Sequence, residues 1–322
     1  MMVALWSGAV QVSSYAQSRT MGFYATFWGV RGGLPVPGRE TVEFGGNTTC
    51  LEVRAGPHLI VIDAGTGIIH LGDKLAAERA RSGQPIAGTL LFTHGHHDHT
   101  QGLSLFSPFS LGDSSFYVLG PRVFGLDLDQ VLKRATLPSI YPAPLDQLHG
   151  IRSIRNVRER QAIVLLQPGT EPVVHDLDVG YPFVPPGAVY IDIYHSCHHP
   201  RGGSLIYSVQ YSGRKLVFAT DTEGYEGGDQ RLIRLAQGAD LLIHDAEYTD
   251  QEYAGPPLVR QGWGHSTWRM AVDVGQQAQV KRLALTHHNA QHDDAVLRAI
   301  EQEAQVVFPQ AFVAREGTTV TL

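Results

Sequence analysis

Cysteine is nearly absent from this 322-residue chain: Cys50 and Cys197 are its only thiols, with no C-x-x-C spacing, which excludes a disulfide framework. Cys197 stands two residues before His199 and could ligate a metal, but we expect a buried thiol acting as a small hydrophobe. No apolar run approaches the roughly 18 residues of a membrane-spanning helix. The first twenty residues offer only the short apolar stretch Val3-Ala4-Leu5-Trp6 and no basic start, so they do not read as a secretory signal, and we expect a cytoplasmic protein. Positive charge is also short: 25 Lys and Arg against 31 Asp and Glu give a formal net charge of −6, and hence no general attraction for phosphate backbones. Extended nucleic acid is therefore a poorer match as a partner than a small anionic ester. A homodimer is compatible with the composition.

What the chain does have is an ordinary hydrophobic content of 43% and a local concentration of histidine. Residues 88–92 read as a short buried strand, and Thr93-His94-Gly95-His96-His97-Asp98-His99-Thr100 follow it directly. Four imidazoles and one carboxylate within six residues, on a loop held by a strand, make a donor set for a zinc-like cation. A histidine-rich tract with adventitious metal affinity is expected at a terminus or in low-complexity sequence instead.

His-x-His-x-Asp-His after a hydrophobic strand resembles the metal-binding signature of the metallo-β-lactamase superfamily. The segments Asn47-Thr48-Thr49-Cys50, Asp63-Ala64-Gly65-Thr66-Gly67, His199-Pro200, Ala219-Thr220-Asp221-Thr222, Gly264-His265-Ser266-Thr267 and Thr286-His287-His288 extend the resemblance over about residues 22–300. Their order is similar to that of the phosphodiesterase-like branch, which includes RNase Z and small cyclic-phosphate phosphodiesterases. The resemblance implies an α+β fold, a four-layer αββα sandwich with its ligands along one edge. It implies one domain over residues 21–322, with residues 1–20 a poorly ordered extension or lying ahead of a true start at Met21. His94, His96 and His199 would surround a first metal and Asp98, His99 and His287 a second, with Asp221 bridging. Asp63 would support the metal loop from below, a simple turn-capping Asp being the alternative. Two divalent ions are implied, and Zn²⁺ suits an all-nitrogen-and-oxygen set best, with Mn²⁺, Fe²⁺ or Ni²⁺ able to compete. The implied activity is hydrolysis of a small or cyclic phosphodiester by a hydroxide held between the metals and oriented by Asp98. Alternatives are a thioester, lactone or lactam, an RNA 3′ end as in RNase Z, and metal binding without turnover. The Gly/Pro-rich arm by which RNase Z holds tRNA is not recognisable.

Apolar spacing predicts strands over residues 24–28, 59–62, 115–119, 188–194, 205–211, 215–219, 240–244 and 282–285, and helices over 68–81, 126–135, 230–237 and 267–277. The first of these helices would turn Ile69, Leu71 and Leu75 to one face. Residues 137–186 show no clear pattern. Within them Arg152, Arg155, Arg158 and Arg160 could grip a polyanion, although a solvated face is the simpler reading. In His199-Pro200-Arg201-Gly202-Gly203-Ser204, backbone N–H groups with Arg201 or Ser204 could meet a substrate oxygen; a plain turn is the alternative. His265 stands outside the seven ligands, and an imidazole near neutrality suits protonation of a leaving alkoxide. A histidine that only hydrogen-bonds its loop is the competing reading.

Overall fold

The computed structural model describes residues 22–139, 141, 143–199, 202–225 and 227–322, so the expectations placed on residues 1–20, Met21 and Arg201 lie outside the described residues. Two mixed sheets carry the fold. The first contains β1 (Phe23–Gly29), β2 (Cys50–Ala55), β3 (His58–Ile62), β4 (Ala87–Leu91), β5 (Ser115–Gly120) and β6 (Ile151–Asn156). The second contains β7 (Gln161–Leu165), β8 (Val173–Asp176), β9 (Val189–Ser196), β10 (Ser204–Tyr211), β11 (Arg214–Ala219), β12 (Leu241–Asp245), β13 (Leu283–Thr286) and β14 (Ala311–Val313). A last strand, β15 (Thr319–Thr321), returns to the first sheet beside β1, giving the orders β15-β1-β2-β3-β4-β5-β6 and β14-β13-β12-β11-β10-β9-β7-β8.

β3 to β6 run parallel, and so do β11 to β14. Parallel strands need cover on both faces, and β3, β12 and β13 are accordingly buried at every residue. Helices α1 (Gly67–Ser82), α2 (His97–Thr100) and α3 (Leu128–Ala135) follow strands of the first sheet. Those following strands of the second are α4 (Gln230–Ala236), α5 (Asp250–Ala254), α6 (Trp268–Gln277) and α7 (Asp294–Val307).

Three apolar clusters mark the interfaces of a four-layer αββα sandwich. Ile60, Ile62, Ile191, Tyr207 and Ile243 belong to the one between the sheets. Leu71, Leu75, Leu128 and Leu132 seat α1 and α3 on the first sheet, while Leu232, Val272 and Leu297 seat α4, α6 and α7 on the second. In α1 the buried large apolar side chains are Ile68, Leu71 and Leu75, and the expected Ile69 is only half-buried: a 3.6-residue repeat through 71 and 75 selects 68. No helix among the described residues is long and apolar enough to cross a membrane.

The unreadable stretch of residues 137–186 supplies edge strands, β6 to the first sheet and β7 with β8 to the second. Its arginines are engaged: Arg152 donates to the Ser114 carbonyl at 2.7 Å, Arg155 pairs with Glu171 at 3.3 Å, Arg158 with Asp176 at 2.7 Å, and Arg160 with Asp178. Each of the last three cations meets a carboxylate of its own chain, which fits the solvated-face reading.

Candidate metal centre

A parallel strand delivers its C-terminal loop to one edge of its sheet, and here both sheets deliver to the same edge. β3 leads to Asp63, β4 to His94–His99 and β11 to Asp221, while β12 ends in Asp245 and β13 leads to His287. Asp63, Asp221 and His287 hold φ of 62°, 54° and 61°, a left-handed conformation rare for residues other than glycine and found where a site dictates the backbone. Tyr207 on β10 ties the sheets together just beneath, donating its hydroxyl to the Phe92 carbonyl at 2.7 Å.

Donor atoms of His94, His96, His199 and Asp221 all lie within 4.8 Å of one another, as do those of Asp98, His99 and His287. Asp221 reaches both groups: one oxygen is 3.5 Å from His94 Nε2, the other 3.2 Å from His99 Nε2 and 3.4 Å from His287 Nε2. A cation fits these donors. The Nε2 of buried His94 has no hydrogen-bond partner, and His96 Nδ1 lies 3.1 Å from His199 Nε2. Burial lowers the pKa of His94, His96 and His199, keeping imidazole neutral as ligation requires. Burial also acts on His99 and His287, but Asp221 and the other carboxylates outweigh it and hold both well above the usual histidine range, so a cation held there displaces a proton from each ring. Asp221 is held well below the usual carboxylate range, because His287, His99 and His94 overcome its own desolvation.

A second set of groups fixes the rings. Asp63 accepts from the Thr93 N–H, the Thr93 hydroxyl and His99 Nδ1, each at 2.8 Å, which aims His99 Nε2 at the centre. The Gly33 N–H donates to Asp98 at 2.8 Å. A Cβ on neighbouring Gly32 would come within 2.2 Å of the His287 ring, so only glycine allows that loop its approach.

His265 is stacked on His287, with ring centroids 4.8 Å apart, and lies edge-on to His199 at 5.2 Å. Its Nδ1 is 2.8 Å from Asp245 and 3.3 Å from Glu247. Burial alone would lower its pKa, but those two carboxylates outweigh burial and push it up to about 9.

Other residues fall elsewhere. Ser204 donates its hydroxyl to the Asp221 carbonyl at 2.8 Å and is buried, so it braces the bridging loop instead of facing a substrate oxygen. Cys197 is exposed, not buried as expected, and belongs to neither donor group. His97 is exposed; His288 bonds the Ala314 carbonyl at 3.0 Å, and His198 lies 3.7 Å from Asp229.

Sequence reasoning missed Asp245, Glu247, Glu223 and Gly32. Glu223 accepts from the N–H groups of Gly262 and Gly264 and from the Tyr253 hydroxyl, fixing the loop ahead of His265. Asp245 carried one usable signal, an acid closing a buried strand as Asp63 does.

Residues 58–288 match the family model of the beta-lactamase superfamily domain. Ribonuclease Z of Synechococcus sp. (strain CC9311) is 28% identical over 92% of this chain and 97% of its own length. Ribonuclease Z of Gemmatimonas aurantiaca is 39% identical over 119 residues, which span 37% of this chain and only 35% of that relative. Among solved structures, the metallo-beta-lactamase fold protein YhfI from Bacillus subtilis superposes with a TM-score of 0.63 at 16% identity, covering 94% of this chain and 100% of that one.

Proposed function

The chain belongs to the beta-lactamase superfamily and is a metal-dependent hydrolase, and from that premise we propose that it hydrolyses a small or cyclic phosphodiester. The observation that carries the reading is the pair of donor groups sharing Asp221, with His265 against their histidines and itself within 4.8 Å of donor atoms of Asp221 and His287, so that it would stand at the reacting centre while its Nδ1 is held by Asp245. His94, His96 and His199 would hold one divalent ion, Asp98, His99 and His287 the other, and Asp221 both. When bound, the ions, zinc by the chemistry of the donors, supply an ionisable water and neutralise phosphoryl charge. Asp98, steadied by the Gly33 N–H, orients the attacking water. Asp245 and Glu247 keep His265 protonated, and His265 gives that proton to the departing alkoxide.

Ribonucleases cleave phosphodiesters, which supports the bond type; the size of the substrate is argued from this chain's own surface. Its net charge is −6, and Arg155, Arg158 and Arg160 are spent on neighbouring carboxylates. The end-to-end alignment with a ribonuclease Z favours a second reading, an RNA 3′-end endonuclease. Turnover of bis(p-nitrophenyl) phosphate and a cyclic nucleotide, set against a precursor tRNA, a thioester and a lactone, separates these. We expect the phosphodiesters to be preferred and RNA affinity to be weak and steeply salt-dependent. Efficient 3′ cleavage of the precursor tRNA would establish the second reading; preference for the thioester or lactone would reject both.

A further inference from the structure

A cavity of about 380 Å³ opens directly beside His94, His96 and His199. That volume is at the low end for small-molecule sites and accommodates one nucleoside-sized group. Its far wall is built by residues 121–135, which pack straight onto the metal loop: a Cβ on Gly95 would meet Val131 at 3.0 Å and Val123 at 3.5 Å.

The tip of that wall is a two-residue hairpin. Val123 and Leu126 exchange backbone hydrogen bonds at 3.0 and 2.9 Å, and the two residues between them, Phe124 and Gly125, have φ of 50° and 79°. Asn or Gly belongs at both positions of such a turn, yet the first is a phenylalanine. Phe124 is 71% exposed, and its ring reaches toward the backbone of Gly202, where a Cβ would lie 3.9 Å from Cζ. A bulky apolar side chain is thus presented to water, in a backbone conformation that disfavours it, at the mouth of a cavity beside three candidate metal donors. In the last turn of α3, Arg134 lines the same cavity, is exposed, and has no acidic partner among the described residues, whereas Arg122 is paired with Asp127 at 2.9 Å.

We propose that this cavity holds the nucleoside part of the substrate, its planar base stacked on Phe124 and its polar edge facing the Arg134 guanidinium. The inference rests on the phosphodiesterase reading and narrows it to esters of a nucleoside. An RNA end presents the same group, so the test distinguishes the two sources.

Thymidine 5′-(p-nitrophenyl phosphate) and methyl p-nitrophenyl phosphate share a leaving group and differ in the group the cavity would receive. Wild-type protein should favour the nucleoside ester in kcat/KM by about tenfold or more, mainly through KM, the scale of one base stacked on an aromatic ring. F124N should cut that preference by about tenfold and weaken calorimetric binding of thymidine 5′-phosphate equally. Its melting temperature should hold or rise, because Asn suits the turn. R134Q should lower preference and binding in the same direction. Unchanged preference and unchanged binding in both variants would overturn the proposal. A trinucleotide used tenfold better than the mononucleotide ester would move the cavity to an RNA end and equally overturn it. If wild-type protein hydrolyses neither ester but does hydrolyse a thioester or lactone, the phosphodiesterase reading fails, and the binding measurement alone decides the cavity.

Discussion

His265 has its Nδ1 committed to Asp245 and Glu247, while its Nε2 has no partner among the described residues. If it donates the leaving-group proton, H265A should cost on the order of 10²-fold in turnover on esters with alkoxide leaving groups. On p-nitrophenolate esters the loss should be small, with metal content unchanged. Equal losses across the leaving-group series, read from steady-state rates, would leave His265 a loop-bonding residue. Gly32 offers a test of the second donor group. The protein should bind close to two transition-metal ions per chain by elemental analysis, and G32A, whose Cβ would press on the His287 ring, should bring the number toward one. The candidate donors themselves were legible because the family pattern labels them. Gly32, Asp245, Glu247 and Glu223 were not: each acts on residues brought alongside by folding, Asp245 on His265 from 20 positions away, Glu247 on His287 from 40, and Glu223 on Gly262 and Gly264 from 39 and 41.

At the scale of elements, α3 connects stability with the cavity beside the metals. Its start was expected at residue 126, but Leu126 is bonded into the Val123 hairpin and the helix begins at Leu128 behind an Asp127 cap. Asp127 and Gln130 form a capping box, and Asp127 also accepts from Asn156 at 2.8 Å and pairs with Arg122. D127A should therefore lower unfolding free energy by about 1 kcal/mol in urea titrations, the usual cost of losing an N-cap. The strands at the centres of the sheets were readable as apolar runs because they are buried on both faces. β6 was not: only half-buried or exposed along its whole length, it shows no alternation, and the sheet edge it occupies is defined by its neighbour, not its own sequence.

For the molecule as a whole, the late segments are tied down by partly buried charges such as Glu252, which joins α5 to His292 in the approach to α7. Burial works to raise the Glu252 pKa, but hydrogen bonds from His292 and Thr249 outweigh it and hold the group at about 2. A depressed carboxylate stabilises the fold fully above its unfolded pKa of about 4.3, and that stabilisation is lost as pH falls through the folded value. E252Q should thus be less stable than wild type near pH 7, and the melting temperatures of the two should converge between about pH 4.3 and pH 2. Layering and the convergence of the site loops on one edge were implied by the family pattern together with the apolar runs, while the order of the strands within each sheet is visible only in three dimensions. That convergence has a consequence for how the protein is made. During synthesis the loop bearing His94, His96 and His99 emerges well ahead of His199, Asp221 and His287. A nascent chain therefore displays His94, His96, Asp98 and His99 before His199, Asp221 and His287, which complete the two donor groups, have been made. Either donor group is thus complete only once the second sheet has closed, and the affinity of such a site for a cation is part of the free energy of folding.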